Sequence, residues 1–70
     1  MLAKYSLMEN NIAHYRKLRG WSQEQFARVL GTSRQQLSEW ERGLKLPRVD
    51  AAIEIARVLG CSVEDIFTRT

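Results

Sequence analysis

Apolar residues along this chain recur at three- and four-residue intervals, and glycines interrupt the recurrence. Within residues 23–42, Phe26, Ala27, Val29 and Leu30 fall at helical spacing before Gly31, and Leu37 and Trp40 follow after it. Gly31 takes positive φ without steric cost, so it can end the first of these helices tightly. Thr32 or Ser33 can cap the second by accepting a backbone N–H. Upstream, Ile12 and Tyr15 point inward, with Leu18 on their flank, on a helix capped by Asn10 or Asn11 and stopped at Gly20. Downstream, Val49, Ala52, Ile53, Ala56 and Leu59 form the inward stripe of a helix that runs from about Asp50 to Leu59, and Ile55 and Val58 lie off it. Gly60 ends that helix. Ser62 caps a last short one, which has Glu64 and Asp65 in its first turn and Val63, Ile66 and Phe67 as apolar residues. The pattern predicts an all-α bundle of five helices.

The second and third helices, joined across Gly31-Thr32, have the helix-turn-helix layout: a steep crossing and a short connection containing glycine. Ala27 supplies the small residue that such a crossing needs. With Leu37 set at zero and about 100° per residue, Trp40 and Glu41 lie within about 60° of it and face the protein. Gln35, Ser38, Glu39 and Arg42 fall on the opposite side, and Arg34 sits at the exposed N-terminal tip. A merely solvated face is usually rich in Lys and Glu. This one has no Lys and is dominated by planar forked groups. Arg pairs bidentately with guanine, Gln with adenine, and Ser with either. The face therefore predicts reading of base edges in double-stranded DNA.

The neighbouring residues extend that reading. Arg16 lies one turn from Ile12, near the inward side, and a buried Arg needs a carboxylate. Glu41 is the candidate, so an Arg16–Glu41 ion pair is expected to tie the first helix to the third. Ser22-Gln23-Glu24-Gln25 is a capping box, with Trp21 placed to staple against Phe26. Gln23 sits beside the free N–H groups of its helix start, a favourable place for a phosphate, although a simple capping role is open to it as well. Gly43 is the expected stop of the third helix. In the loop Leu44-Lys45-Leu46-Pro47-Arg48, Lys45 is the favoured phosphate contact, ahead of Arg48.

Seventy residues allow one domain with a small core, for which dimerisation is a natural support. Residues 9–70 form that domain, ending in a dimerisation helix. Residues 1–8 show no clean period and read as an N-terminal extension, with Met8 an alternative natural start. The net charge of +3 is uneven: +5 over residues 1–48 and −2 over residues 49–70. The positive charge thus sits where a polyanion would dock, and its modest size suits a specific binder that touches few phosphates. No apolar run approaches the ~18 residues of a membrane span, and no signal peptide is visible. One cysteine cannot form an internal disulfide, so a reducing cytoplasm is expected.

At this point the chain resembles the XRE family of small helix-turn-helix regulators, which includes the lambda-type phage repressors and Cro. The matching residues are N-x-I-x-x-Y-R-x-x-R-G-W-S-Q at 10–23, A-x-x-L-G-T-S-R-Q at 27–35, W-E-R-G at 40–43, Pro47, and A-x-x-L-G-C-S-V-E-D-I-F at 56–67. The resemblance implies a lambda repressor-like five-helix fold, binding to operator DNA as a two-fold dimer, and transcriptional control. It implies base contacts at Ser33, Arg34, Gln35, Ser38 and Glu39, and phosphate contacts at Gln23 and after Gly43. Its buried Arg–Glu pair falls on Arg16 and Glu41. Trp21 and Trp40 stand where aliphatic residues are usual. Arg42 stands where Asn is common, which adds a possible phosphate contact. Glu39 would repel phosphate unless it accepts from cytosine or pairs with a neighbouring Arg.

The full DNA-binding set expected is Gln23, Thr32, Ser33, Arg34, Gln35, Ser38, Glu39, Arg42 and Lys45. The last helix carries more apolar residues than a small core takes up. Ile55, Val58, Val63, Ile66 and Phe67 are therefore expected at a homodimer contact. Nothing supports catalysis, a metal or another cofactor: His14 is the only histidine, Cys61 is solitary, and no glycine-rich phosphate loop exists. No ligand domain is visible, so small-molecule control is not expected. The leading reading is a sequence-specific regulator, a repressor at a palindromic operator. The alternative is an antitoxin-like protein-interaction module on the same fold, disfavoured because no tail is visible to wrap a toxin.

Overall fold

The computed structural model describes residues 10–67, so the expected extension at residues 1–8 lies outside the described residues. Five helices follow in order: α1 (Ile12–Leu18), α2 (Gln23–Leu30), α3 (Arg34–Glu41), α4 (Val49–Leu59) and α5 (Val63–Ile66). Among the described residues the only extended pairing is one antiparallel bridge between Asn10 and Phe67.

Local chemistry sets each boundary. Ser22 accepts from the Gln25 amide while the Gln25 side chain accepts from the Ser22 amide, which closes the capping box at the start of α2. Trp21 stacks on Phe26 at 5.1 Å between ring centroids, stapling the chain's entry into that helix. Gly31, at φ 75°, turns the chain out of α2, and the Thr32 amide donates back to the Ala27 carbonyl. Ser33, rather than Thr32, then caps α3 through the Gln36 amide at 3.0 Å. A second capping box, Ser62 with Asp65, starts α5.

The core is one cluster: Ile12, Phe26, Ala27, Leu37, Trp40, Ile55, Ala56, Leu59 and Ile66. Leu18 and Val29 instead stay exposed. Two further ties close the bundle. The Asn11 amide and side chain donate to the Ile66 and Asp65 carbonyls, and the Asn10 side chain donates to the Trp40 carbonyl at 2.9 Å. Arg19 donates to the Leu59 carbonyl and so satisfies one acceptor at the end of α4.

On α4 the buried stripe differs from the one expected. Ile55, Ala56 and Leu59 face the core with Ala52 beside them, while Val49 is 76% and Ile53 54% exposed. The helix is turned so that Ile55 as well as Leu59 becomes fully buried. This also corrects the expected dimer contact. Ile55 and Ile66 are completely buried in the protomer's own core and are not available to a partner. Val58 and Phe67 pack half-buried against that core, which leaves Val63 as the exposed member of the set.

Candidate nucleic-acid interface

The position of α3 is fixed from below. Arg16 and Glu41 meet beneath it: Arg16 Nε donates to Glu41 Oε2 at 2.6 Å and a terminal nitrogen donates to Oε1 at 3.2 Å. Both side chains are nearly buried, at 9% and 5% exposure. The remaining terminal nitrogen of Arg16 donates to the Trp21 carbonyl at 2.8 Å, so the guanidinium joins α1, the α1–α2 turn and α3. Leu37 and Trp40 bury the rest of the inner side of α3. Every buried side-chain polar atom among the described residues has a partner, so this polar floor is complete.

With that side held, the opposite side of α3 projects. Arg34 and Gln35 are exposed, Ser38 and Glu39 are half-buried, and Arg42 is exposed at the C-terminal end. Ser33 has its hydroxyl engaged as the cap, although the residue is exposed at the tip. Thr32 is half-buried in the turn. The helix ends in a Schellman turn at Gly43, with the Leu44 amide returning to the Glu39 carbonyl at 2.9 Å and the Gly43 amide to the Trp40 carbonyl. That turn folds the following loop back along the helix and brings Lys45 to Glu39, Nζ to carboxylate, at 3.4 Å. The Gln35 amide also reaches Glu39, at 3.5 Å. Glu39 is therefore offset by Lys45 rather than by an arginine.

Gln23 stands apart from the α3 surface residues. Its side-chain nitrogen donates to Glu41 Oε1 at 2.8 Å, which fixes its amide against the buried pair while the residue stays partly exposed. One amide N–H thus positions the side chain, and the carbonyl and the second N–H are free of that contact. Neither His14, exposed and edge-on to Tyr15, nor half-buried Cys61 joins this surface. Burial and the nearby Asp65 push the Cys61 thiol up, against a smaller opposing effect of Arg19. No helix among the described residues is long and apolar enough to cross a membrane.

The helix-turn-helix family model matches residues 12–66, which spans all five helices. The chain belongs to the XRE-type helix-turn-helix family. The family consists of DNA-binding transcriptional regulators and not of enzymes. Among its relatives, the uncharacterized HTH-type transcriptional regulator MJ0272 of Methanocaldococcus jannaschii is 40% identical over 60 residues, covering 86% of this chain and 91% of that protein. The uncharacterized HTH-type transcriptional regulator YazB of Bacillus subtilis is 42% identical over 55 residues, 79% of this chain and 80% of that one. The crystal structure of the hypothetical transcription factor NHTF from Neisseria superposes with a TM-score of 0.75 at 29% identity, over 84% of this chain and 68% of that chain. The fold is thus the lambda repressor-like all-α bundle.

Proposed function

We propose that this regulator is a repressor that binds a palindromic operator as a homodimer, with α3 as its recognition helix in the major groove. The observation that carries this reading is the projecting face of Arg34, Gln35, Ser38 and Glu39 above the buried Arg16–Glu41 floor. A helix clamped on one side and forked on the other presents donors and acceptors at fixed angles, as base-edge recognition requires. Two such helices related by a two-fold axis enter successive major grooves about 34 Å apart. Lys45, Arg42 and Gln23 contact phosphate, and Thr32 and Ser33 approach the backbone at the N-terminal tip of α3.

A gel-shift titration against a palindromic duplex library tests this. Gln35→Ala relaxes preference at one base position and leaves binding to random duplex unchanged. Lys45→Ala weakens binding to all duplexes evenly and lowers the salt slope by about one counterion. Equal losses from both substitutions on selected and random DNA count against the assignment. Retention of a protein partner with no affinity for duplex DNA would favour the interaction-module reading instead.

A further inference from the structure

Four large apolar residues within ten positions stay more than half exposed: Leu44 at 62%, Leu46 at 58%, Val49 at 76% and Ile53 at 54%. Val49 and Ile53 are one turn apart on α4 and share a face, and Leu44 and Leu46 lie in the loop that leads into it from the recognition helix. The charges on that face have a particular order. Asp50 and Arg57 lie three residues before and four residues after Ile53, both within about 60° of it around the helix.

We propose that the outer face of α4 is the surface on which a second copy of this chain docks, about a two-fold axis beside Ile53. The proposal rests on the homodimer reading above and names its surface. A two-fold axis pairs a patch with itself, so the patch must be self-complementary. Two α4 helices laid antiparallel about Ile53 meet Ile53 to Ile53. Asp50 of one protomer then faces the partner subunit's Arg57, and the reciprocal pair forms on the other side of the axis. The charges are opposite in sign at the two positions that the axis exchanges. Among the described residues each pairs with one charged side chain of its own chain, Asp50 with Arg48 at 3.8 Å and Arg57 with Glu54. The Asp50–Arg48 pair is long and exposed, so it is weak and readily exchanged, whereas Arg57 keeps its two hydrogen bonds to Glu54 and shares its charge with the partner subunit's Asp50. Leu46 and Val49 extend the apolar contact toward the recognition helices, whose C-terminal ends then lie nearest the axis. Among the described residues α5 carries Val63 as its one exposed large apolar residue, against Val49 and Ile53 on α4.

Sedimentation equilibrium of the full chain tests the surface, with thermal melts to establish that each variant is folded. Ile53→Asp raises the dimer dissociation constant by about 30-fold or more, the loss expected for a central apolar anchor. Val63→Asp changes it by less than about threefold, as a substitution outside the contact should. Asp50→Arg and Arg57→Asp each weaken the dimer, and the double swap recovers it. In a C61S background, Ile53→Cys forms an intermolecular disulfide on oxidation and Val63→Cys does not. A dimer disrupted by Val63→Asp and indifferent to Ile53→Asp overturns this surface but leaves the homodimer reading standing. A wild-type chain that stays monomeric alone and on operator duplex overturns both.

Discussion

Replacing Glu41 by alanine tests how α3 is held. The carboxylate accepts from two nitrogens of Arg16 and from the side-chain nitrogen of Gln23. In its absence the guanidinium keeps one partner, the Trp21 carbonyl, in a site where Arg16 is 7% exposed. Breaking one side of a buried pair costs about 3–5 kcal/mol because the surviving charge is left uncompensated. A domain of this size is stable by only about 3–10 kcal/mol, so E41A should remove about a third of its stability or more. The double variant R16M/E41M behaves differently. It removes both charges and refills the volume with apolar atoms, an exchange that is often neutral or stabilising. Its remaining deficits are the unpaired Trp21 carbonyl, about 1–3 kcal/mol if the site stays dry, and the lost Glu41 partner of Gln23, a partly exposed side chain that can turn to water. Urea unfolding followed by far-UV circular dichroism measures both variants. The expected order is wild type, then R16M/E41M, then E41A, with unchanged m-values. An E41A loss below about 1 kcal/mol, the level of an exposed pair, would refute the reasoning. A double variant no more stable than E41A would refute it too.

Further outcomes follow from single groups. Gly31 holds φ 75° with nothing within 4 Å of an added Cβ, so Gly31→Ala costs about 1–2 kcal/mol from backbone strain alone and Gly31→Asn costs less, both read from urea melts. Ser22→Ala opens the capping box of α2 and costs about 0.5–2 kcal/mol on the same measurement. The raised Cys61 thiol holds its proton to higher pH when folded than when unfolded. Iodoacetamide at pH 8 should therefore alkylate it more slowly in buffer than in urea. The small stability it contributes is present below the unfolded thiol's pKa and is lost as pH rises through the folded value. Equal alkylation rates in buffer and urea would contradict this.

How far the sequence alone reaches depends on how uniquely a residue's neighbours constrain it. Ser22 and Gln25 meet three residues apart, and Trp21 and Phe26 meet around the same helix start, so local spacing predicts both contacts. Arg16 and Glu41 are distant in sequence, yet each is an ionisable group on an otherwise apolar side, and that shared anomaly pairs them. On α4 the constraint fails. Eight of its eleven residues are apolar, so the series Val49–Ile53 and Ala52–Ala56–Leu59 with Ile55 are both valid helical stripes. Only packing against the other helices selects the second. The expected dimer residues inherited that ambiguity: Ile55 and Ile66 look surplus until the bundle closes over them. The Lys45–Glu39 pair was obscured for another reason. Its geometry is set by the Schellman turn at Gly43, a backbone feature that reverses the loop, and side-chain periodicity does not register it. The tie from Gln23 to Glu41 depends on how α2 crosses α3, which spacing along either helix leaves open.

Selection of bound duplexes from a random pool, run in parallel with the wild-type chain and with Gln35→Ala, tests the central claim most directly: the outward side of α3 chooses the DNA sequence. The wild type should enrich a two-fold-symmetric site with half-sites one helical turn apart. The variant should enrich the same site with preference lost at one symmetry-related pair of positions. Enrichment of no sequence, or of a site unchanged even when Arg34, Gln35 and Ser38 are all alanine, would contradict it.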